Sequence, residues 1–310
     1  MTRITALLLT AAFAMPAAAQ EPASCKQVTF SDVGWTDITA TTAVATAVLD
    51  AIGYETDTKV LSLPVSYTAM ATGDVDIFLG NWMPTMEADI APYREAGTVD
   101  TVRTNLVGAK YTLATNRTGA DLDITDFAAI AGQADALDGK IYGIEPGNDG
   151  NRLLIEMIAE DKFGLGTFEI VESSEQGMLA QVARETKAGK PIVFLGWEPH
   201  PMNSEYDLTY LEGGDEIFGP DLGGAEVRTN TRADYIEECP NVGKFLQDLE
   251  FTLEMENQVM GAILNDGTRP EDAARAWLKA NPDAILPWLD GVTAQDGRDA
   301  LEVLNTALEG

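Results

Sequence analysis

The chain has 310 residues, 45% apolar and 23% charged, and its 50 acidic residues against 20 basic ones give a formal net charge of -30. This length and apolar fraction exclude a disordered chain and suffice for two lobes. The acidic balance excludes nucleic acid as a partner, because there is no basic stripe to displace counterions from phosphates. Since His200 is the single histidine, we expect neither a metal site nor a cofactor.

The N-terminus has the pattern of a secretory signal peptide. Arg3 precedes a nearly continuous apolar run over residues 4–15, and small residues follow up to Ala19. The run is shorter than the ~20 residues that a membrane-spanning helix needs. We therefore predict a signal peptide over residues 1–19, cleavage after Ala19 and a periplasmic protein.

Two cysteines, Cys25 and Cys239, remain in the mature chain. An even number of cysteines in an oxidising compartment favours a disulfide bond, and two buried free thiols are the alternative. A disulfide would place the start of the mature chain and the segment around residue 239 in the same lobe.

Strands and helices alternate along the chain. The clearest segments are the strands Gln27–Phe30, Val75–Leu79 and Pro191–Leu195 and the helix Thr41–Ile52. This alternation predicts an α/β fold with parallel sheets covered on both faces.

The sequence contains no flexible interdomain linker, so we expect two lobes joined by short strand-like crossovers. The candidate crossovers lie near Val107–Lys110 and Leu208–Leu211. They divide the chain into a discontinuous lobe 1, residues 20–108 and 211–310, and a lobe 2, residues 109–210.

Three tryptophans follow predicted strands directly. Trp35, Trp82 and Trp197 each lie one or two residues after a glycine. In open parallel sheets the carboxyl ends of the strands face the ligand crevice, so these indoles are candidates for its walls. Independent packing of three loop tryptophans is the alternative.

Clustered aromatic faces suit a quaternary ammonium group, which cannot donate an N–H hydrogen bond. Each cation–π contact contributes ~0.5–2 kcal/mol, and tryptophan is the best partner. Asp37 could add a counter-charge, and a helix N-cap or a turn residue is the alternative. Asn148, between a predicted strand and helix, could meet a hydroxyl group, although an ordinary turn is the alternative.

Five motifs together resemble the periplasmic choline-binding proteins of bacterial ABC importers, within the wider glycine betaine/choline substrate-binding group. They are Gly34-Trp35-Thr36-Asp37, Gly80-Asn81-Trp82-Met83-Pro84, Ala109-Lys110-Tyr111, Pro146-Gly147-Asn148 and Gly196-Trp197-Glu198-Pro199-His200. The resemblance implies a two-lobed, type II (Venus-flytrap) periplasmic binding protein with a parallel-rich sheet in each lobe and a two-crossover hinge.

The resemblance also implies an aromatic box formed by Trp35, Trp82, Tyr111 and Trp197. In it Asp37 would face the cation or the hydroxyl end, and Asn148 would bind the hydroxyl. We expect Trp35, Asp37 and Trp82 on one lobe and the other three residues on the second, with closure around the ligand.

The expected function is therefore capture of choline and its delivery to the membrane permease of an ABC importer, by a monomer that is not an enzyme. Because Asp37 would repel a ligand carboxylate, choline leads, glycine betaine is the runner-up and acetylcholine a secondary ligand. A sensory binding protein would have the same pocket. An exported carbohydrate-active hydrolase is the alternative from another class, since saccharide sites also use tryptophan platforms and paired carboxylates.

Overall fold

A computed structural model of the chain describes residues 21–309, so the predicted signal peptide lies outside the described residues. The strands are β1 Gln27–Asp32, β2 Glu55–Val60, β3 Ile77–Met83, β4 Val99–Asn116, β5 Lys140–Tyr142, β6 Glu169–Val171, β7 Val193–Glu198, β8 Leu208–Tyr210 and β9 Gly224–Arg232.

Helices cover these strands. The α-helices are α1 Thr36–Ala51, α2 Leu63–Thr72, α3 Glu87–Glu95, α4 Arg117–Ala120, α5 Phe127–Ile130, α6 Asp149–Ala159, α7 Glu175–Ala188, α8 Met202–Glu205, α9 Asp215–Phe218, α10 Pro220–Gly223, α11 Tyr235–Glu238, α12 Pro240–Asp248, α13 Leu253–Leu264, α14 Pro270–Ala280, α15 Pro282–Ile285 and α16 Ala300–Glu309. Short 3-10 helices cover Ala23–Lys26, Ala131–Gln133, Lys162–Gly164 and Pro287–Leu289.

The strands form one mixed sheet in the order β2-β1-β3-β9-β4-β7-β5-β6, and β8 pairs with β4. Parallel pairing joins β1 to β2 and β3, and β5 to β6 and β7. Antiparallel pairing joins β9 to β3 and β4, and β4 to β7 and β8. The predicted parallel units are present, but antiparallel strands connect them.

Strand β4 divides the sheet into two halves. Over Val99–Lys110 it pairs with β9, and over Lys110–Thr115 it pairs with β7. We call β2, β1, β3, β9 and the start of β4 the first half, and the rest of β4 with β7, β5, β6 and β8 the second half.

The predicted elements occur with shifted ends. Helix α1 begins at Thr36 rather than Thr41, and β3 runs to Met83, beyond the predicted end at Leu79. Trp82 and Trp197 lie inside β3 and β7, one residue before the end of each strand, instead of beyond them. Trp35 does follow β1. Strand β9 was not predicted, because its GAEVRTNTR sequence is mostly polar.

The disulfide is confirmed. Cys25 and Cys239 are bonded, with their Cα atoms 5.5 Å apart. Glu21, next to this bridge in sequence, accepts hydrogen bonds from the Asn241 amide (2.7 Å) and the Tyr54 hydroxyl (2.6 Å). The start of the described chain is therefore tied to the segment that follows Cys239.

Candidate ligand-binding site

One buried cavity, with about 270 Å³ of space unfilled by atoms, lies between the two halves of the sheet. Its walls are Trp35, Asp37, Trp82, Tyr111, Ile144, Asn148, Asp149 and Trp197. The structure thus brings all six predicted site residues to a single cavity. Each of the four aromatic side chains is no more than 5% exposed.

The turn between β1 and α1 positions Trp35 and Asp37. Gly34 adopts a positive φ of +83°, and its amide donates to Oδ1 of Asp32 at 2.7 Å. Trp35 is the N-cap residue of α1, which begins at Thr36, and Asp37 lies in the first turn. The N-cap interpretation of Asp37 is therefore wrong.

Asp37 is instead held by an aromatic residue of the cavity. Its Oδ2 accepts a hydrogen bond of 3.0 Å from Nε1 of Trp82. Its Oδ1 is buried and has no hydrogen-bond partner among the described residues. An unpartnered carboxylate oxygen in an aromatic cavity is costly unless a ligand compensates it.

Strand pairing positions the aromatic residues of the second half. Tyr111 on β4 is directly opposite Trp197 on β7, and their ring centroids are 6.4 Å apart. The Tyr111 ring also lies 6.0 Å from that of Trp82, on the first half. A Cβ atom at Gly150 would lie 2.0 Å from the Tyr111 hydroxyl, so this close approach requires glycine.

Asn148 is the N-cap of α6 and also a cavity wall. Its Oδ1 accepts hydrogen bonds from the Asn151 amide at 3.1 Å and the Tyr111 hydroxyl at 3.0 Å. Its Nδ2 donates to Oδ1 of Asp149 at 3.1 Å. Asn148 therefore lies in the turn before α6 and also lines the cavity, and its contact with a ligand hydroxyl stays a prediction.

Sequence reasoning missed two wall residues, Ile144 and Asp149. Asp149 is 1% exposed, and its Oδ2 has no hydrogen-bond partner among the described residues. The available signal was an acidic residue directly after Asn148 at a strand-to-helix turn. Ile144, as an ordinary apolar residue after β5, gave none.

The cavity is acidic and contains no basic side chain among its walls. Burial, reinforced by the negative charge of Glu175, raises the pKa of Asp37 to about 8 against the opposing Trp82 hydrogen bond. Burial also raises the pKa of Asp149 to about 7. Both carboxyls would ionise more readily beside a cation.

Hydrogen bonds between the two halves close the cavity. Nε1 of Trp35 donates to Oε1 of Glu145 at 2.8 Å. Nη2 of Arg152 donates to the Thr85 carbonyl and to Oδ2 of Asp89, both at 2.9 Å. These hydrogen bonds hold the walls from the two halves of the sheet together around the cavity.

Residues 26–280 match the family model of the substrate-binding domain of ABC-type glycine betaine transport systems. The chain belongs to this family. A solved ABC-transporter choline-binding protein in complex with choline is 67% identical, with a TM-score of 0.92 over 93% of this chain and 100% of the other. An unliganded, semi-closed choline-binding protein, also 67% identical, gives a TM-score of 0.85 over 92% of this chain and 99% of the other.

Lactococcal OpuAC, solved closed with glycine betaine, is 26% identical, with a TM-score of 0.77 over 84% of this chain and 98% of the other. These relatives confirm the two-lobed type II periplasmic binding protein fold. Of the two choline-binding structures, the liganded one superimposes better, which agrees with the closed cavity.

Membership of a transport-binding family confirms the prediction that the chain is a binding protein and not an enzyme, so the hydrolase alternative is wrong. Binding proteins of ABC importers act outside the cytoplasm. Within residues 21–309, no helix combines the length and apolar character needed to cross a bilayer. The same residues include no group of three or more potential metal-ligating side chains.

Proposed function

We propose that this protein captures choline in the aromatic cavity and delivers it to the membrane permease of an ABC importer. The observation that carries the proposal is Oδ1 of Asp37, a buried carboxylate oxygen with no hydrogen-bond partner within residues 21–309, on a cavity that three indoles and a phenol also line. This combination offers a methylated cation both diffuse π contact and a formal counter-charge.

The two ends of choline match two different sets of cavity walls. The trimethylammonium group would lie against Trp35, Trp82, Tyr111 and Trp197, beside Asp37. The hydroxyl would donate to Oδ2 of Asp149, which has no partner among the described residues, and accept from the amide of Asn148. Each polar group of the ligand then meets a group that the protein leaves available.

The acidic walls favour choline over glycine betaine. Lys110 pairs with Glu198 at 3.5 Å, and His200 bonds to Glu175 at 3.2 Å, so neither lines the cavity. A betaine carboxylate would therefore meet Asp37 and Asp149 without a basic partner. Acetylcholine would retain the head group but lose the donated hydroxyl hydrogen.

The size of choline is compatible with useful affinity. At a ceiling of about -1.5 kcal/mol per non-hydrogen atom, its seven atoms permit about -10 kcal/mol. This corresponds to a dissociation constant between tens of nanomolar and micromolar. Such efficiency needs nearly complete burial, and closure of the two halves supplies it.

We propose the two lobes that the sequence predicts, residues 20–108 and 211–310 for lobe 1 and residues 109–210 for lobe 2, with the boundary at residue 211 moved. The Leu211 amide donates to the Leu113 carbonyl, and Glu212 exchanges backbone hydrogen bonds with Thr125 and Phe127. Residues 211–218 therefore pack with lobe 2, and we place the return crossover at 219–224 rather than at residue 211.

We further propose that the mature protein starts at Gln20 after removal of residues 1–19, and works in the periplasm as a monomer. The apolar run over residues 4–15 and the small residues that follow it up to Ala19 support this cleavage. Mass spectrometry of the secreted protein would test the processing site, and light scattering would test the monomer.

The central test is calorimetric titration of the mature protein with choline, glycine betaine, acetylcholine and carnitine. We expect choline to bind at micromolar concentration or below and acetylcholine to bind more weakly. Glycine betaine and carnitine, which carry a carboxylate, should bind most weakly. Glycine betaine binding at least as tightly as choline would contradict the proposed ligand, while absence of binding by all four would contradict the proposed function.

A further inference from the structure

The first helix has an N-terminus that its own chain does not cap. Helix α1 starts after Trp35, whose side chain makes no capping hydrogen bond. The first-turn amides of a helix need partners when they are buried. Here Glu175 supplies one from the other lobe, because its Oε2 accepts from the Thr36 amide at 2.8 Å and its Oε1 accepts from Oγ1 of Thr36 at 2.5 Å.

His200 fixes Glu175 within lobe 2. Nδ1 of His200 accepts a 3.0 Å hydrogen bond from the Met202 amide, so the ring proton is on Nε2. Nε2 lies 3.2 Å from Oε1 of Glu175 and donates to it. The side chains of Glu175 and His200 are 0% and 1% exposed, which makes this pair a rigid support.

These contacts connect two walls of the binding cavity. The His200 ring packs edge-on against Trp197, with centroids 4.9 Å apart. At the other end, Thr36 lies between Trp35 and Asp37 in sequence. The path Trp197–His200–Glu175–Thr36 therefore runs from the lobe 2 wall to the lobe 1 wall, through residues 139 positions apart at the crossing.

We propose that Glu175 is a positioning residue that caps α1 only when the lobes close, and thereby couples closure to the placement of Trp35 and Asp37. When the lobes separate, both partners of the cap must return to water. The negative carboxylate also lies at the positive end of the helix dipole, where it is favoured. The inference deepens the proposed function and rests on it.

The same carboxylate acts on Asp37. Asp37 is faced by Glu175 from α7, Glu256 from α13 and the Trp82 indole from β3. The negative charge of Glu175 opposes ionisation of Asp37 and raises its pKa, second only to burial. A choline cation would relieve this repulsion, and removal of the Glu175 charge should shift the pH dependence of binding to lower pH.

The test compares Glu175→Gln and Thr36→Val with wild type in choline titrations from pH 6 to pH 9. A glutamine cannot satisfy the amide, the hydroxyl and His200 together, so we expect affinity to fall about tenfold or more, mainly through faster release. Thr36→Val should have a smaller effect on affinity. The fold-loss of affinity in the double variant should be smaller than the product of the fold-losses in the two single variants. In Glu175→Gln the rise of affinity with pH should also move to lower pH.

Glu185→Gln is the matched control, because Glu185 lies on the same helix and bonds to Gln181 within lobe 2. It should behave as wild type. Wild-type affinity and an unshifted pH profile in both Glu175→Gln and Thr36→Val would overturn the cap.

Lobe closure can be measured without choline by the distance between spin labels at Val60→Cys and Leu122→Cys, which replace exposed residues of the two lobes. Glu175→Gln should shift the unliganded distances towards the open form. An unchanged distribution would contradict the cap, whether or not wild type binds choline. If wild type does not bind choline but the Glu175→Gln variant shows more open distances than wild type, the cap would be retained and the proposed function refuted.

Discussion

The indole nitrogen of Trp82 lies 3.0 Å from Oδ2 of Asp37 and donates a hydrogen bond to it. The other carboxylate oxygen, Oδ1, has no partner among the described residues. One residue thus presents an aromatic face to the cavity and orients the counter-charge beside that face. Loss of the indole should remove both contributions.

Trp82→Ala should weaken choline binding at least tenfold, because a cation–π contact of ~0.5–2 kcal/mol is lost and Asp37 loses its buried hydrogen bond. Trp82→Phe should fall between Ala and wild type, since it keeps a ring but no donor. Calorimetry measures both effects. Trp277→Phe, at a tryptophan that bonds to Gln258 away from the cavity, should match wild type. Unchanged affinity in Trp82→Ala would refute the assignment of this wall.

Choline affinity should rise with pH. In the unliganded protein the pKa of Asp37 is raised to about 8, so the carboxyl is mostly protonated at pH 6. Choline favours the ionised form and must displace the proton, which costs up to about tenfold in affinity for each pH unit below 8. Titrations should show tighter binding up to about pH 8 and a plateau above it.

Asp37→Asn is the control for this assignment, because it keeps the shape and removes the proton. It should bind choline at least tenfold more weakly than wild type at pH 8 and show a much flatter profile. The ionisation of Asp149, with a pKa of about 7, would account for the residual slope. If the affinity of Asp37→Asn rises with pH as steeply as that of wild type, the proton that choline displaces would belong to another group.

The stability of the unliganded protein should fall as the pH rises, whereas its choline affinity should increase. The pKa of Asp37 is raised from 3.8 to about 8, so the folded state binds this proton more tightly than the unfolded state. Its contribution is fully present below pH 3.8 and is lost as the pH rises towards 8. Urea denaturation at pH 5, 7 and 9 should therefore show wild type losing stability relative to Asp37→Asn. A difference that is constant with pH would contradict the raised pKa.

The sequence located much of the site because strand ends are local features. Trp35, Trp82 and Trp197 were found from apolar strands followed by glycine and tryptophan, although Trp82 and Trp197 lie inside their strands. Tyr111 came only from the family resemblance, since a tyrosine in a strand has no distinctive pattern. Asp149 was missed next to Asn148, which had already been assigned to the hydroxyl.

Contacts between distant segments left no local signal. Glu175 reaches Thr36 across 139 residues, at the first residue of α1, which lies before the apolar periodicity that predicts a start at Thr41. Strand β9 pairs with β3 and β4 despite its polar sequence, because its backbone supplies the hydrogen bonds. Fold class follows from periodicity, whereas helix starts and the central strand pairing depend on the assembled lobes.

Recognition of the ligand hydroxyl should depend on Asp149. Tetramethylammonium has the cationic head of choline but no hydroxyl, so wild type should bind it more weakly. Asp149→Ala should reduce choline affinity by about tenfold, through loss of one acceptor in a buried site, and affect tetramethylammonium much less. Competition titrations of the two cations give the ratio. Equal losses for both would mean that Asp149 acts on the cation rather than on the hydroxyl.

The disulfide should contribute to stability and leave choline affinity unchanged. Cys25 precedes the start of β1 at Gln27, whereas Trp35 follows the other end of this strand, and six residues of strand span about 20 Å between them. The bond closes a loop with a sequence separation of 214, for which chain entropy gives at most about 5 kcal/mol.

The variant Cys25→Ala/Cys239→Ala should therefore lose about 2–5 kcal/mol of unfolding free energy in urea denaturation, compared with the oxidised wild type. Glu21 bonds to the Asn241 amide at 2.7 Å and to the Tyr54 hydroxyl at 2.6 Å, so the chain start keeps a second attachment and the variant should fold. Calorimetry at 25 °C should give a choline affinity within about twofold of wild type, since neither Cys25 nor Cys239 is among the cavity walls. A tenfold loss of affinity with little loss of stability would mean that the bridge shapes the cavity itself.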